Sequence, residues 1–194
     1  MILALWCAVA YLIGSIPSGY VIGKVFYHVD LRKIGSGNIG ATNAYRILGI
    51  KAGLAVFLCD FFKGVFVVWL GEPDVLTALL CAFFVIIGND WSVFLHFKSG
   101  RGVACGVGAF TYICPPAALA AFLVWLAVFF FSRIVSLSSI IAAPFVPIVM
   151  FFMGKPLEYT AFAAVAAIVV IGKHKDNIGR LLRGEEKKIS HEKR

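Results

Sequence analysis

Apolar residues run along this chain in long blocks separated by short polar stretches. The blocks cover about 2–26, 52–70, 75–97, 103–131, 136–153 and 157–172. A helix rises 1.5 Å per residue, so about 20 apolar residues cross the roughly 30 Å hydrocarbon core of a bilayer, and most blocks read as spanning helices. The block 103–131 is too long for one ordinary span and short for two; Pro115-Pro116 in its middle predicts a break, giving spans 103–114 and 115–132. In the first span, Gly14, Ser15, Pro17 and Ser18 offer a small-residue face that another helix can approach closely. The third span is expected to be interrupted at Gly88-Asn89-Asp90. Asp60 and Lys63, three apart on one face of span 52–70, must be paired or functional at that depth, and the spacing favours a structural ion pair.

Composition agrees with the pattern. The 194 residues are 61% hydrophobic and 14% charged, where about half apolar is usual for a soluble domain. The fold class expected is an all-α integral membrane protein with a single polytopic domain, 1–194. No cleavable signal peptide is expected, because the first apolar run lacks a basic leader and continues into Lys24. Five cysteines, Cys7, Cys59, Cys81, Cys105 and Cys114, lie in apolar segments without C-x-x-C pairing and read as small hydrophobes. The net charge of +8 belongs in the loops. Residues 28–51, Lys98–Arg101, Arg133 and the tail 173–194 are basic, whereas the turn Glu72-Pro73-Asp74 is acidic. Seven crossings, with the N-terminus outside and the C-terminus cytoplasmic, put every one of these basic clusters inside; six would put the basic tail outside. The expected arrangement is therefore seven spans, 2–26, 52–70, 75–97, 103–114, 115–132, 136–153 and 157–172, with a short interfacial helix over Ser36–Leu48.

The polar stretches carry the candidate chemistry. Gly35-Ser-Gly-Asn-Ile-Gly-Ala-Thr-Asn-Ala-Tyr-Arg46 combines glycines, hydroxyls, amides and a guanidinium, which suits an anion. It contains G-x-G-x-x-G with Asp60 about twenty residues on, but follows an apolar span rather than a strand, so a dinucleotide site is rejected. A flexible linker would be expected to lack its asparagines and arginine. Lys98-Ser-Gly-Arg-Gly102, Arg133 to Ser138 and His174 to Lys188 fall on the same expected face. That inventory of cations, hydroxyls and glycines with one histidine suits phosphorylated ligands and offers no oxygen cage for a divalent metal. His174, Asn177 and Leu181 share a helical face, and histidine is the usual proton mover near neutrality. A solvated flank or a headgroup-binding basic tail are the alternatives for that segment.

Taken together these segments resemble the bacterial acyl-phosphate-dependent glycerol-3-phosphate acyltransferases, over nearly the whole chain. The resemblance is carried by Gly35 through Gly49, by Gly14-Ser-Ile-Pro17, Asp60-Phe-Phe-Lys-Gly64 and Arg133-Ile-Val-Ser-Leu-Ser-Ser-Ile140, and by H-x-x-N-I-x-R-L-x-x-G-x-E from His174 to Glu186. The second family motif departs: Asn89 and Ser92 stand where a histidine and a proline are usual, and Ser99, Arg101 and Cys105 alter the glycine segment. The resemblance implies transfer of a fatty acyl group from acyl phosphate to the 1-hydroxyl of glycerol 3-phosphate, giving lysophosphatidate and phosphate in phospholipid biosynthesis. It implies a catalytic set of Ser36, His174 and Asn177. Substrate and phosphate contacts would come from Asn38, Thr42, Arg46, Lys98, Gly100, Arg101, Gly102 and Ser136. No cofactor or metal is implied. The expected setting is the bacterial cytoplasmic membrane with its site on the cytoplasmic face, membrane lipids around it, a soluble acyl-phosphate-producing enzyme as partner and no nucleic acid.

The rival from another class is a transporter or channel for phosphorylated or other anionic solutes. Its polar groups would gather at the midplane, whereas here they collect at one face. No histidine is followed by the H-x-x-x-x-D of thioester-dependent acyltransferases, and neither G-x-S-x-G nor a P-loop occurs.

Overall fold

The computed structural model describes residues 2–72 and 74–189; Pro73 of the acidic turn and residues 190–194 of the tail lie outside the described residues. Every regular element among the described residues is helical. The chain divides into two compact units, the first ending at Ala109 and the second formed by Phe110–Ile189.

The first unit contains α1 (Ile2–Ser15), α2 (Ser18–Tyr27), a 3-10 turn at Leu31–Lys33, α3 (Ala41–Leu48), α4 (Ile50–Gly71), α5 (Val75–Asp90), a second 3-10 turn at Val93–Leu95 and the start of α6 (Val103–Ile113). Helices α1 and α5 meet backbone to backbone. A Cβ added at Gly14 would lie 2.9 Å from Val85 Cα, and one at Gly88 would lie 2.9 Å from Ser15 N, so this contact needs the bare glycines. That packing keeps α5 helical through Gly88-Asn89-Asp90, and the interruption expected there falls after Asp90 instead. Asp74 starts α5 as an N-cap, accepting from the Thr77 backbone N–H at 2.9 Å.

The first span is broken at Ile16-Pro17, where proline removes a backbone donor. In hydrocarbon a carbonyl short of donors is costly, and two side chains from elsewhere in the unit donate to carbonyls at the break. Ser92 Oγ donates to Ser15 O at 2.5 Å, and Lys63 Nζ donates to Ile16 O at 2.6 Å. Lys63 also lies 2.7 Å from Asp60 Oδ1 on α4.

The second unit contains the end of α6, then α7 (Pro115–Ser132), α8 (Val135–Ala142), α9 (Phe145–Phe152), α10 (Leu157–Lys173) and α11 (Lys175–Leu182). Pro115 opens α7 at its first turn, where a missing N–H costs nothing. Helices α10 and α11 meet at a 59° bend.

Small residues such as Ala10, Ala82, Ala117 and Ala163 are buried, while Phe66, Trp69, Phe122, Phe130, Phe131 and Phe152 face outward. A soluble protein does the reverse with its largest apolar side chains; lipid is the solvent that makes this arrangement favourable. Among the described residues, five helical stretches are long and apolar enough to cross a membrane: Ile2–Tyr27, Ile50–Gly71, Val75–Leu95, Pro115–Ser132 and Val135–Phe152. Counted as one span, the bent pair α10 and α11 would make a sixth. The expected span 103–114 is the helix α6, whose 11 residues reach about 16 Å, roughly half the hydrocarbon thickness.

Candidate active site

Three polar clusters hold the residues singled out by the sequence, and a buried asparagine takes part in each. In the first unit, residues 34–40 form a loop in which Gly35 and Gly37 take φ of +68° and +71°. That left-handed backbone ends any helix, so the helix expected from Ser36 begins only at Ala41. Asn43, on α3, points back into the loop. Its Nδ2 donates to Leu31 O and Ile34 O at 3.1 Å and to Asn38 O at 2.8 Å, and its Oδ1 accepts from Ser36 N at 3.0 Å. Asn38 Oδ1 in turn accepts from Gly40 N at 2.7 Å. Ser36 is thereby held at the exposed rim of the loop, with Thr42 half-buried and Arg46 buried along α3. Beneath, Asp30 takes two side-chain bonds from Arg32 at 2.9 and 2.7 Å, and the Arg32 guanidinium lies 4.4 Å over the Tyr20 ring. The Arg32 hydrogen bond holds the Asp30 carboxyl down to about 2.

The second cluster is Lys98–Gly102, docked on the end of α5. Gly100 N donates to Asn89 O at 2.8 Å and Gly102 N to Asn89 Oδ1 at 3.2 Å. Gly102 has φ +65°, and a Cβ there would lie 2.7 Å from Ile86 Cγ2. These two glycines therefore permit close docking, and their N–H groups serve the fold; Lys98 beside them is exposed and Arg101 half-buried.

The third cluster lies in the second unit around the bend between α10 and α11. His174 and Asn177 are each only 2% exposed. His174 Nδ1 lies 2.7 Å from Val170 O, and since a carbonyl only accepts, Nδ1 carries a proton, so that Nε2 is the nitrogen through which the ring gains or loses a proton. His174 also begins α11, its carbonyl accepting from Ile178 N at 2.8 Å. Three turns of sequence away, Glu186 gathers the neighbours: Oε1 accepts from Ser136 Oγ at 2.6 Å and Asn177 Nδ2 at 2.5 Å, and Oε2 accepts from Arg180 Nε at 2.6 Å. Burial pushes its carboxyl up, but the Ser136, Asn177 and Arg180 hydrogen bonds outweigh this and leave its pKa below the ordinary value. The tail is tied down beside it, Ile189 N donating to Arg133 O at 2.7 Å.

The family model described as glycerol-3-phosphate acyltransferase matches residues 4–184. The chain belongs to that family. A glycerol-3-phosphate acyltransferase 2 of Moorella thermoacetica is 47% identical over 183 residues, covering 93% of this chain and 94% of the relative. A glycerol-3-phosphate acyltransferase of Gloeobacter violaceus is 42% identical, covering 96% and 94%. Among solved structures, the glycerol 3-phosphate form of PlsY (YgiH), an integral membrane glycerol 3-phosphate acyltransferase, superposes with a TM-score of 0.93 at 38% identity, covering 98% of this chain and 96% of that one. As a glycerol-3-phosphate acyltransferase, the chain is an acyltransferase of phospholipid biosynthesis and a multi-span integral membrane protein; nothing in these relatives favours the transport reading.

For this glycerol-3-phosphate acyltransferase, Ser36, Asn38, His174 and Asn177 are legible in the sequence as candidates, whereas the groups that hydrogen-bond around them are not. Asn43 was visible only as one polar residue among several in its loop, and Glu186 only as the last letter of a motif. Asn89 stood out as a departure, with no hint in the sequence that its carboxamide clamps Gly102.

Proposed function

We propose that the protein transfers a fatty acyl group from acyl phosphate to the 1-hydroxyl of glycerol 3-phosphate. The observation that carries this is the buried His174 and Asn177 pair on the α10–α11 bend, with the basic His174 nitrogen fixed by the Nδ1 bond to Val170. The hydroxyl oxygen attacks the acyl carbonyl, the bond from that carbon to the phosphate oxygen breaks, and the hydroxyl proton ends on the released phosphate. Phosphate is a good leaving group in a mixed anhydride, so the demands on the protein are to hold two anions, steady an oxyanion and accept or relay one proton. Arg46, Lys98 and Arg101, with Asn38 and Thr42, are assigned to substrate and phosphate binding; Gly100 and Gly102 shape the second loop. Ser36 orients the acyl phosphate in direct transfer. His174 takes the hydroxyl proton and passes it to the departing phosphate.

The membrane setting proposed is the bacterial cytoplasmic membrane with the site at its inner face, crossed seven times, α6 being a short crossing. The acyl phosphate would be supplied by a soluble enzyme. Purified protein given glycerol 3-phosphate with acyl phosphate or acyl-CoA decides the donor: phosphate release with acyl phosphate alone is expected, and equal use of acyl-CoA would overturn the assignment. Ping-pong kinetics, or an acyl group trapped on Ser36, would replace direct transfer with a covalent intermediate.

A further inference from the structure

We propose that Glu186 sets the hydrogen-bond polarity of the cluster around Ser136 and Asn177, so that it receives a hydroxyl group of the acceptor and not a phosphate. An ionised carboxylate can only accept hydrogen bonds. With Oε1 facing both side chains, the Ser136 proton is committed to Glu186 at 2.6 Å and the Asn177 amide must turn its NH2 toward it at 2.5 Å. Each residue is left presenting an acceptor. Ser136 Oγ offers lone pairs, and Asn177 Oδ1 is buried with no hydrogen-bond partner among the described residues. A buried, unpartnered carbonyl oxygen is costly unless a donor arrives.

A phosphate at neutral pH is rich in acceptors and would be repelled by this arrangement, whereas an alcohol O–H satisfies it. Ser136 therefore leaves the phosphate-binding set implied by the resemblance and joins Asn177 in recognising a hydroxyl of glycerol 3-phosphate. Arg180, bonded through Nε to Oε2 at 2.6 Å, keeps Glu186 ionised and its orientation fixed. Glu186 is a positioning residue in this scheme: it acts through Ser136 and Asn177. The inference rests on glycerol 3-phosphate being the acceptor.

Glu186→Gln tests it. With Arg180 still donating, the glutamine oxygen stays on the arginine side and its NH2 faces Ser136 and Asn177, so both must reverse and present donors. Full-length purified protein is titrated with glycerol 3-phosphate and with n-propyl phosphate, which keeps the phosphate and lacks the hydroxyls. The wild type is expected to prefer glycerol 3-phosphate, and Glu186→Gln to lose that preference by about tenfold or more while binding n-propyl phosphate at least as well. Equal weakening of both ligands would mean a structural role and overturn the proposal, as would an unchanged ratio. If Glu186→Gln does not fold, Ser136→Ala carries the same test, since removing one acceptor must lower the preference without weakening n-propyl phosphate. Wild-type acyl transfer to glycerol 3-phosphate is measured alongside: its absence would sink the enzymatic reading, while the binding ratio still decides this one.

Discussion

Asparagine is used in this protein where a polar loop must be rigid without charge. Asn43 spends its carboxamide on three carbonyls and one N–H, a combination that needs an NH2 and a carbonyl oxygen on the same side chain. Asn43→Ala is expected to cost about 2–4 kcal/mol, since several buried groups lose partners at once. Asn43→Asp keeps the acceptor for Ser36 N but aims an anion at three carbonyl oxygens, so it should be no better than alanine. Thermal unfolding in detergent checks the order, and a stable Asn43→Asp would remove Asn43 from this role. The same physics gives Asp30 a pH dependence. Its folded pKa is depressed, so the Arg32 bond contributes fully above the ordinary value of 3.8 and is lost as pH falls through about 2. Asp30→Asn should therefore melt below wild type at pH 7, with the gap narrowing across pH 4 to 2; a gap that persists unchanged at low pH would assign the effect to packing.

Helix α2, which leads to the Asn43 loop, depends on how the break before it is held. Lys63 Nζ meets both Asp60 Oδ1 and Ile16 O, so the pair on α4 also adds a second donor to a carbonyl at the break, beside the Ser18 N–H at 3.0 Å. Lys63→Met strands a buried carboxylate and is expected to cost about 3–5 kcal/mol. Adding Asp60→Asn should recover much of that, and the remaining deficit measures the second donor on Ile16 O; full recovery in the double variant would show that this donor contributes nothing. These elements differ in how legible they were. Period and length marked the apolar helices, and the i, i+3 spacing of Asp60 and Lys63 put them on one face. What spacing could not show was the third partner, because Ile16 lies 47 residues from Lys63 and a backbone carbonyl has no sequence signature. The hold of Ser92 on Ser15 was hidden for the same reason, as was the extent of α5 past Gly88, which tertiary packing against α1 decides.

For the protein as a whole, the number of crossings turns on α6, an element whose length and position disagree with a simple span. Its 11 residues are too few to bridge hydrocarbon alone, yet Gly64 and Gly108 bring its first part against α4, where a Cβ at Gly64 would lie 2.8 Å from Ala109 N. A helix packed against protein on that side need not match the full lipid thickness, since a short segment is accommodated by local thinning at modest cost. Charge argues the same way, for the excess of Lys and Arg beyond Lys173 is expected on the cytoplasmic side. Seven crossings and six give opposite placements to everything after α6. In a background lacking the five native cysteines, an impermeant thiol reagent on intact cells should label Gly154→Cys and reach Lys188→Cys only after permeabilisation. The reverse pattern would mean that α6 turns back without crossing. The Glu186 cluster would then face outward, away from any soluble source of acyl phosphate, and the proposed cytoplasmic chemistry would fall with it.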